Sequence, residues 1–255
     1  MRKPTKLPFV LLMLSLSGCA NQCLKDHPEP AVKRHESNAV EYSLPSRDPG
    51  DHQSPINIFT FNTEKHPTEH RFIIHYQDKI STIENFGHTI QLDFKAGSTI
   101  TSDGHTYVLK QMHFHTPAEH LIDGVTFPME LHIVSVDEEN PATPHYLVIG
   151  ILFKMGKANP FIDEFLTIIP HNAESETPVK SNSIQLKNLL STGDLTHHYH
   201  YKGSLTTPPY TETVNWFVLK KNFEASPEQI KAMNAIEGNN ARHIEPKNNR
   251  VVEDN

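Results

Sequence analysis

The sequence predicts a mainly β, single-domain protein, and three observations predict it. Apolar and polar residues alternate in several separate stretches, the period of a strand with one face turned to a core. Turn signals divide those stretches, and only one helix start is clearly written. A chain of 255 residues can bury one sizeable core without needing a second. The strands fall at 73–76, 89–94, 107–115, 130–136, 146–153 and 213–219. The helix begins after Ser226, which caps it; Pro227 suits the first turn, and Gln229 closes a capping box ahead of Ile230 and Met233. Internal repeats and low-complexity blocks are absent.

At the N-terminus Arg2, Lys3 and Lys6 precede an apolar run, 7–16. This reads as an export signal, too short to span a bilayer stably. It ends in Leu16-Ser-Gly-Cys19, which resembles a bacterial lipobox with cleavage before Cys19 and lipid attached to its sulfur. The expected layout is 1–18 signal peptide of lipoprotein type, 19–51 lipid-anchored tether and N-terminal segment, and 52–255 folded domain. The tether is rich in Pro and charge. A lipid there would hold the chain at a membrane surface without a transmembrane helix. Ala20 rather than Asp follows the cysteine, which favours the outer membrane. The expected location is thus the bacterial cell envelope, on the periplasmic side. Cys23, the second of two cysteines, is left unpaired.

Net charge is −7, and loss of 1–18 removes three basic residues to leave −10. An acidic chain without a basic stripe excludes nucleic acid as a partner. The 18 histidines make charge depend on pH, since free imidazole titrates near 6.5. The densest group, His197-His-Tyr-His200, reads first as a strand with solvated histidines, and second as an adventitious metal binder or an adaptation to an acidic compartment.

A different histidine pattern carries chemistry. Gln111, His113 and His115 share one face of a strand, and Glu130, His132 and Val134 share one face of another that can lie beside it. Three neutral imidazoles would leave a tetrahedral Zn²⁺ with its fourth position free, the pattern of a catalytic site. Gln111 is placed to serve the far nitrogen of His113, and Glu130 that of His132. The plain alternative is a half-exposed histidine pair on a strand.

These residues resemble the alpha-class carbonic anhydrases. The resemblance runs through Gln53-Ser-Pro-Ile-Asn-Ile58, Gln111-Met-His-Phe-His-Thr-Pro-Ala-Glu-His120, Met129-Glu-Leu-His-Ile-Val134, Gly203-Ser-Leu-Thr-Thr-Pro-Pro209 and Asn215-Trp216. It implies a large twisted, mostly antiparallel β-sheet with short peripheral helices. It assigns Zn²⁺ to His113, His115 and His132, with Gln111 and Glu130 behind them. Thr206 takes the gatekeeper position and Glu119 that of the carboxylate that holds it; an ionised Glu119 only accepts, so Thr206 must donate to it. Val134, Val148, Leu205, Thr206, Thr207 and Trp216 match the substrate pocket, and His88 matches the proton shuttle. Alone, the apolar four would be assigned to core packing, and His88 to an exposed strand.

The implied reaction is reversible hydration of CO₂ to bicarbonate and a proton by attack of zinc-bound hydroxide, with weak ester hydrolysis as a side activity. Two departures stand out. The family's N-terminal Trp- and Tyr-bearing segment is replaced by 40–45, where Tyr42 is the only aromatic, and the family's frequent disulfide is absent, with Asp51, His52 and Tyr210 in its place. The alternatives are a binding domain on this fold and a lipoprotein adhesin with incidental catalysis. A homodimer is left open.

Overall fold

The computed structural model describes residues 50–255 apart from 67–69, 78, 140 and 181–182. The signal peptide, the lipidation site Cys19, Cys23 and the segment 40–45 lie outside the described residues. The main strands are β1 (Ile80–Asn85), β2 (Ile90–Phe94), β3 (His105–His115), β4 (Met129–Asp137), β5 (His145–Met155), β6 (His198–Gly203) and β7 (Val214–Leu219), followed by helix α1 (Pro227–Glu237). Each expected strand is present. So is the helix: Ser226 accepts from Gln229 N, Gln229 reaches back to Ser226 N, and Gly238 ends it at φ 67°.

The sheet runs Ser175–Pro178, β1, β2, β3, β4, β5, β7, β6, Glu253–Asp254, Glu64–Lys65. Pairing is mostly antiparallel, as expected, but β5 and β7 run parallel. A parallel pair needs a long crossover, and the connection here carries the short helix Pro160–Asp163, several 3₁₀ turns and β6 itself. Both faces of the central strands are covered. Met112, Phe114, Leu131, Ile133, Leu147, Ile149 and Phe217 fill the larger core. The opposite face packs Val134, Val148, Trp216, Tyr201, Ile56 and Ile58 into a smaller one. Each such side chain, fully buried, contributes about 1.5–3 kcal/mol.

One irregularity decides which face the end of β3 presents. Val134 opposes Gln111, yet the next residue, Ser135, opposes Leu109, so Lys110 is an extra residue in the ladder. Such a bulge re-aims the strand that carries it. Leu109 joins the larger core, while Gln111, His113 and His115 turn to the other face. Unbroken alternation would have put Leu109 among the polar residues.

The solvated-strand reading of His197-His-Tyr-His200 is corrected. His197 is exposed, but His198 is fully buried and His200 nearly so. β6 has neighbours on both edges, and the rings of Phe72 and Phe217 pack on His198 and His200.

Candidate active site

Antiparallel pairing of β3 and β4 puts His113 directly opposite His132 and His115 opposite Glu130. The three imidazole centroids are 4.6 to 5.3 Å apart, and one ring nitrogen of each lies within 4.8 Å of the others. His113 Nδ1 is 2.8 Å from Gln111 Oε1, and His132 Nε2 is 2.9 Å from Glu130 Oε1. These contacts leave His113 Nε2 and His132 Nδ1 as the inward nitrogens. Neither nitrogen of His115 closes a full hydrogen bond, although Asn240 lies close enough to bear on the ring.

Burial pushes His113 well below the usual histidine range, His115 down to about 4, and His132 down as well. All three are therefore neutral at pH 7, the form that binds a metal. Buried lone pairs without donors are costly, and a cation is what this donor set lacks. The residues fit Zn²⁺.

Glu130 organises the back of the site. Its Oε2 accepts from the backbone N–H groups of Glu119 and His120, both at 2.8 Å. Its Oε1 lies 2.7 Å from His120 Nδ1 as well as beside His132. Burial alone would raise its pKa, but the adjoining imidazoles of His120 and His132, both hydrogen-bonded to it, hold it well below the usual carboxylate range. The chain continues from His120 Nε2 to the Tyr201 hydroxyl at 2.7 Å, which donates to Ser54 Oγ at 3.0 Å. Gly150 faces His132 on β5, and a Cβ there would meet Glu130 Oε1 at 2.9 Å. Only glycine leaves that carboxylate its place.

Glu119 is also buried, with Oε2 3.6 Å from His115 Nε2 and 3.8 Å from His132 Nδ1. Its Oε1 accepts from the Arg242 backbone N–H at 2.8 Å. Burial pushes its pKa up, opposed by His132, Arg242 and the Thr206 hydroxyl. Thr206 thus bears on this carboxyl, although Oε2 closes no full hydrogen bond. A cation among the histidines would favour the ionised form.

Val134, Val148 and Trp216 lie side by side across β4, β5 and β7. With Leu205 they form one buried apolar group, and the Trp216 ring is 4.8 Å from that of His132. Thr207 is half-buried next to Thr206. His88 is exposed, in the turn between β1 and β2 rather than on a strand, and Asn240 Nδ2 donates to its carbonyl at 2.9 Å. That turn leads into Gln91, which pairs opposite His113.

Sequence reasoning gave no role to His120, Tyr201, Gly150, Asn240 or Arg242. His120 stood inside a quoted motif and pointed to a buried partner for Glu130. Arg242 serves Glu119 through backbone N–H, which leaves no trace in residue type.

Comparison with known proteins bears on the fold and the family. Residues 39–255 match the family model described as eukaryotic-type carbonic anhydrase. A carbonic anhydrase of Neisseria gonorrhoeae is 37% identical, the alignment covering 98% of each chain. One of Pectobacterium atrosepticum is 35% identical over 80% of each. Among solved structures, the alpha-carbonic anhydrase of Photobacterium profundum superposes with a TM-score of 0.72 at 32% identity, covering 80% of this chain and 89% of that one. That of Thermovibrio ammonificans, solved as a complex with the inhibitor sulfanilamide, gives 0.73 at 32% identity, covering 80% and 87%.

Proposed function

Because the chain belongs to the eukaryotic-type carbonic anhydrase family and is an enzyme of that kind, a lyase, we propose that it hydrates CO₂ reversibly at zinc held by His113, His115 and His132. Zinc bound there would lower the pKa of a water to near 7, a value taken over from carbonic anhydrases in general, and so supply a nucleophile at neutral pH.

The chain's own residues do the rest. Gln111 and Glu130 fix the rings of His113 and His132, so the inward nitrogens keep their aim. Thr206, donating to ionised Glu119, has only its acceptor side left for the nucleophile and thereby orients it. Val134, Val148, Leu205 and Trp216 offer CO₂ an apolar wall free of competing hydrogen bonds, and Thr207 stands beside Thr206 for the product. His88 carries the released proton to solvent, a task suited to an exposed imidazole. The same nucleophile supports slow ester hydrolysis.

The observation that carries the reading is the set of three buried, neutral imidazoles whose ring nitrogens converge within 4.8 Å of one another. Stopped-flow CO₂ hydration, with zinc determined on the same sample and His113→Ala as control, tests it. Fast hydration that tracks one zinc per chain and disappears in the variant is expected. A zinc-loaded chain without hydration would sink the enzyme reading and bring forward adhesion as the main task.

The proposal extends to place. Lipid on Cys19 would anchor the enzyme to the periplasmic side of a bacterial envelope membrane, the outer membrane first, and Cys19→Ser should release it into the soluble fraction. Full retention of the Cys19→Ser protein on membranes would contradict that anchor.

A further inference from the structure

A second set of ligating side chains converges on the far side of the sheet from β3. His70, His200 and Glu253 each offer an atom within 4.8 Å of the others. His200 Nδ1 lies 2.6 Å, and His70 Nε2 2.7 Å, from the same carboxylate oxygen, Glu253 Oε2. The other partners are also in place. His70 Nδ1 is 2.6 Å from Asp103 Oδ2, and Asn215 stands beside His200. An imidazole with one nitrogen turned inward and the ring fixed by a carboxylate or amide elsewhere is the arrangement found at metal sites. Beside them His198, its ring 6.1 Å from that of His70, keeps Nε2 buried and without a partner.

We propose that His70, His200 and Glu253 form a second divalent-metal site, one for Zn²⁺ or an ion of similar ligand preference such as Ni²⁺ or Cu²⁺. Two imidazoles and a carboxylate suit these ions, and the absence of a thiolate removes preference for softer ones. The three ligands come from distant parts of the chain: His70 just ahead of the strand Phe72–His75, His200 on β6, and Glu253 on the C-terminal strand Glu253–Asp254. An ion there clamps the C-terminal strand to the sheet and to the segment that enters it. The present separations are hydrogen-bond lengths; metal bonds of about 2.0–2.1 Å require the nitrogens and the oxygen to part slightly. Glu253 lies on a two-residue strand with its side chain 23% exposed, and His70 is 11% exposed, so the site can yield and an ion can enter.

Unlike His113, His115 and His132, these residues play no part in hydration, and loss of one site leaves the other intact. The test is the metal content of the full chain after equilibration with Zn²⁺ and passage over a weak chelating resin. Wild-type chain is expected to keep an ion beyond the one that His113→Ala loses. His70→Gln and Glu253→Gln should each lose that second ion while retaining hydration. Asp103→Asn, which leaves all three ligands in place, should weaken the second ion about 10- to 100-fold. A wild-type chain that holds only the ion lost in His113→Ala would overturn the proposal. So would an additional ion undiminished in both His70→Gln and Glu253→Gln, which would mark scattered binding to surface histidines.

Discussion

Two groups of histidines sit on strands of one sheet, and they differ in what meets their rings. His113, His115 and His132 project from adjacent central strands to one face, where one carboxylate and one amide fix two of the rings and the inward nitrogens converge. His198 and His200 also alternate on a strand, but Phe72 and Phe217 pack on their rings, and His70 joins from a different segment. Residue type and spacing are nearly the same in both. His198 too has an acceptor behind its ring, the Leu195 carbonyl at 2.8 Å, so what sets the first group apart is the register that brings three rings face to face across adjacent strands.

The largest effect expected from breaking this contrast is at a central ligand. His113→Ala should lose the catalytic zinc, and hydration should fall to that of metal-stripped protein, measured together on one sample. Next comes the acceptor behind the ring. Glu130→Gln should weaken zinc about 10- to 100-fold by competition with a chelator, and Gly150→Ala should move in the same direction because its methyl enters the space of Glu130 Oε1. Unchanged affinity in both would detach ligand quality from the backing group. Thr206→Val keeps the zinc site and should cost about 10²-fold in kcat/KM, the scale of losing one aimed hydrogen-bonding group.

Acid should strain both groups alike. His115 and His198 are each held down to about 4, chiefly by burial, whereas an unfolded histidine titrates near 6.5. The unfolded chain therefore takes up protons first as pH falls. Stability is full above about 6.5 and is lost between there and about 4, at about 1.4 kcal/mol per pH unit for each histidine. Glu237 runs the other way: its buried carboxyl is pushed well above the usual range and offsets part of the loss. Urea denaturation of the metal-free chain from pH 7 to 4.5 should show the decline, and His198→Asn should flatten it; a flat wild-type profile would contradict the assignment. The contrast within one motif is read in stability alone. His198→Ala should cost about 2–4 kcal/mol as a buried ring lost, and the exposed His197→Ala no more than about 0.5 kcal/mol.

Much of this was legible in the sequence, where period and partner coincide. Strands β3 to β5 declare themselves because their residues alternate, and α1 because Ser226, Pro227 and Gln229 write its start. The candidate metal set was legible because Gln111 and Glu130 stand two residues ahead of His113 and His132 on the same face. The remainder depended on distant pairing. The bulge at Lys110 has no local signature, and the short strands Ser175–Pro178 and Glu253–Asp254 exist only through their neighbours. His198 and His200 were read as solvated because their cover, Phe72 and Phe217, comes from elsewhere in the chain.

Diffraction from zinc-loaded crystals on both sides of the zinc absorption edge tests the central claim most directly. The strongest anomalous peak should lie among His113 Nε2, His115 Nε2 and His132 Nδ1, with Glu130 still on His132 Nε2. A map with no peak there, or with zinc only among His70, His200 and Glu253, would show that the register of β3 and β4 does not select the catalytic ligands and would contradict the account.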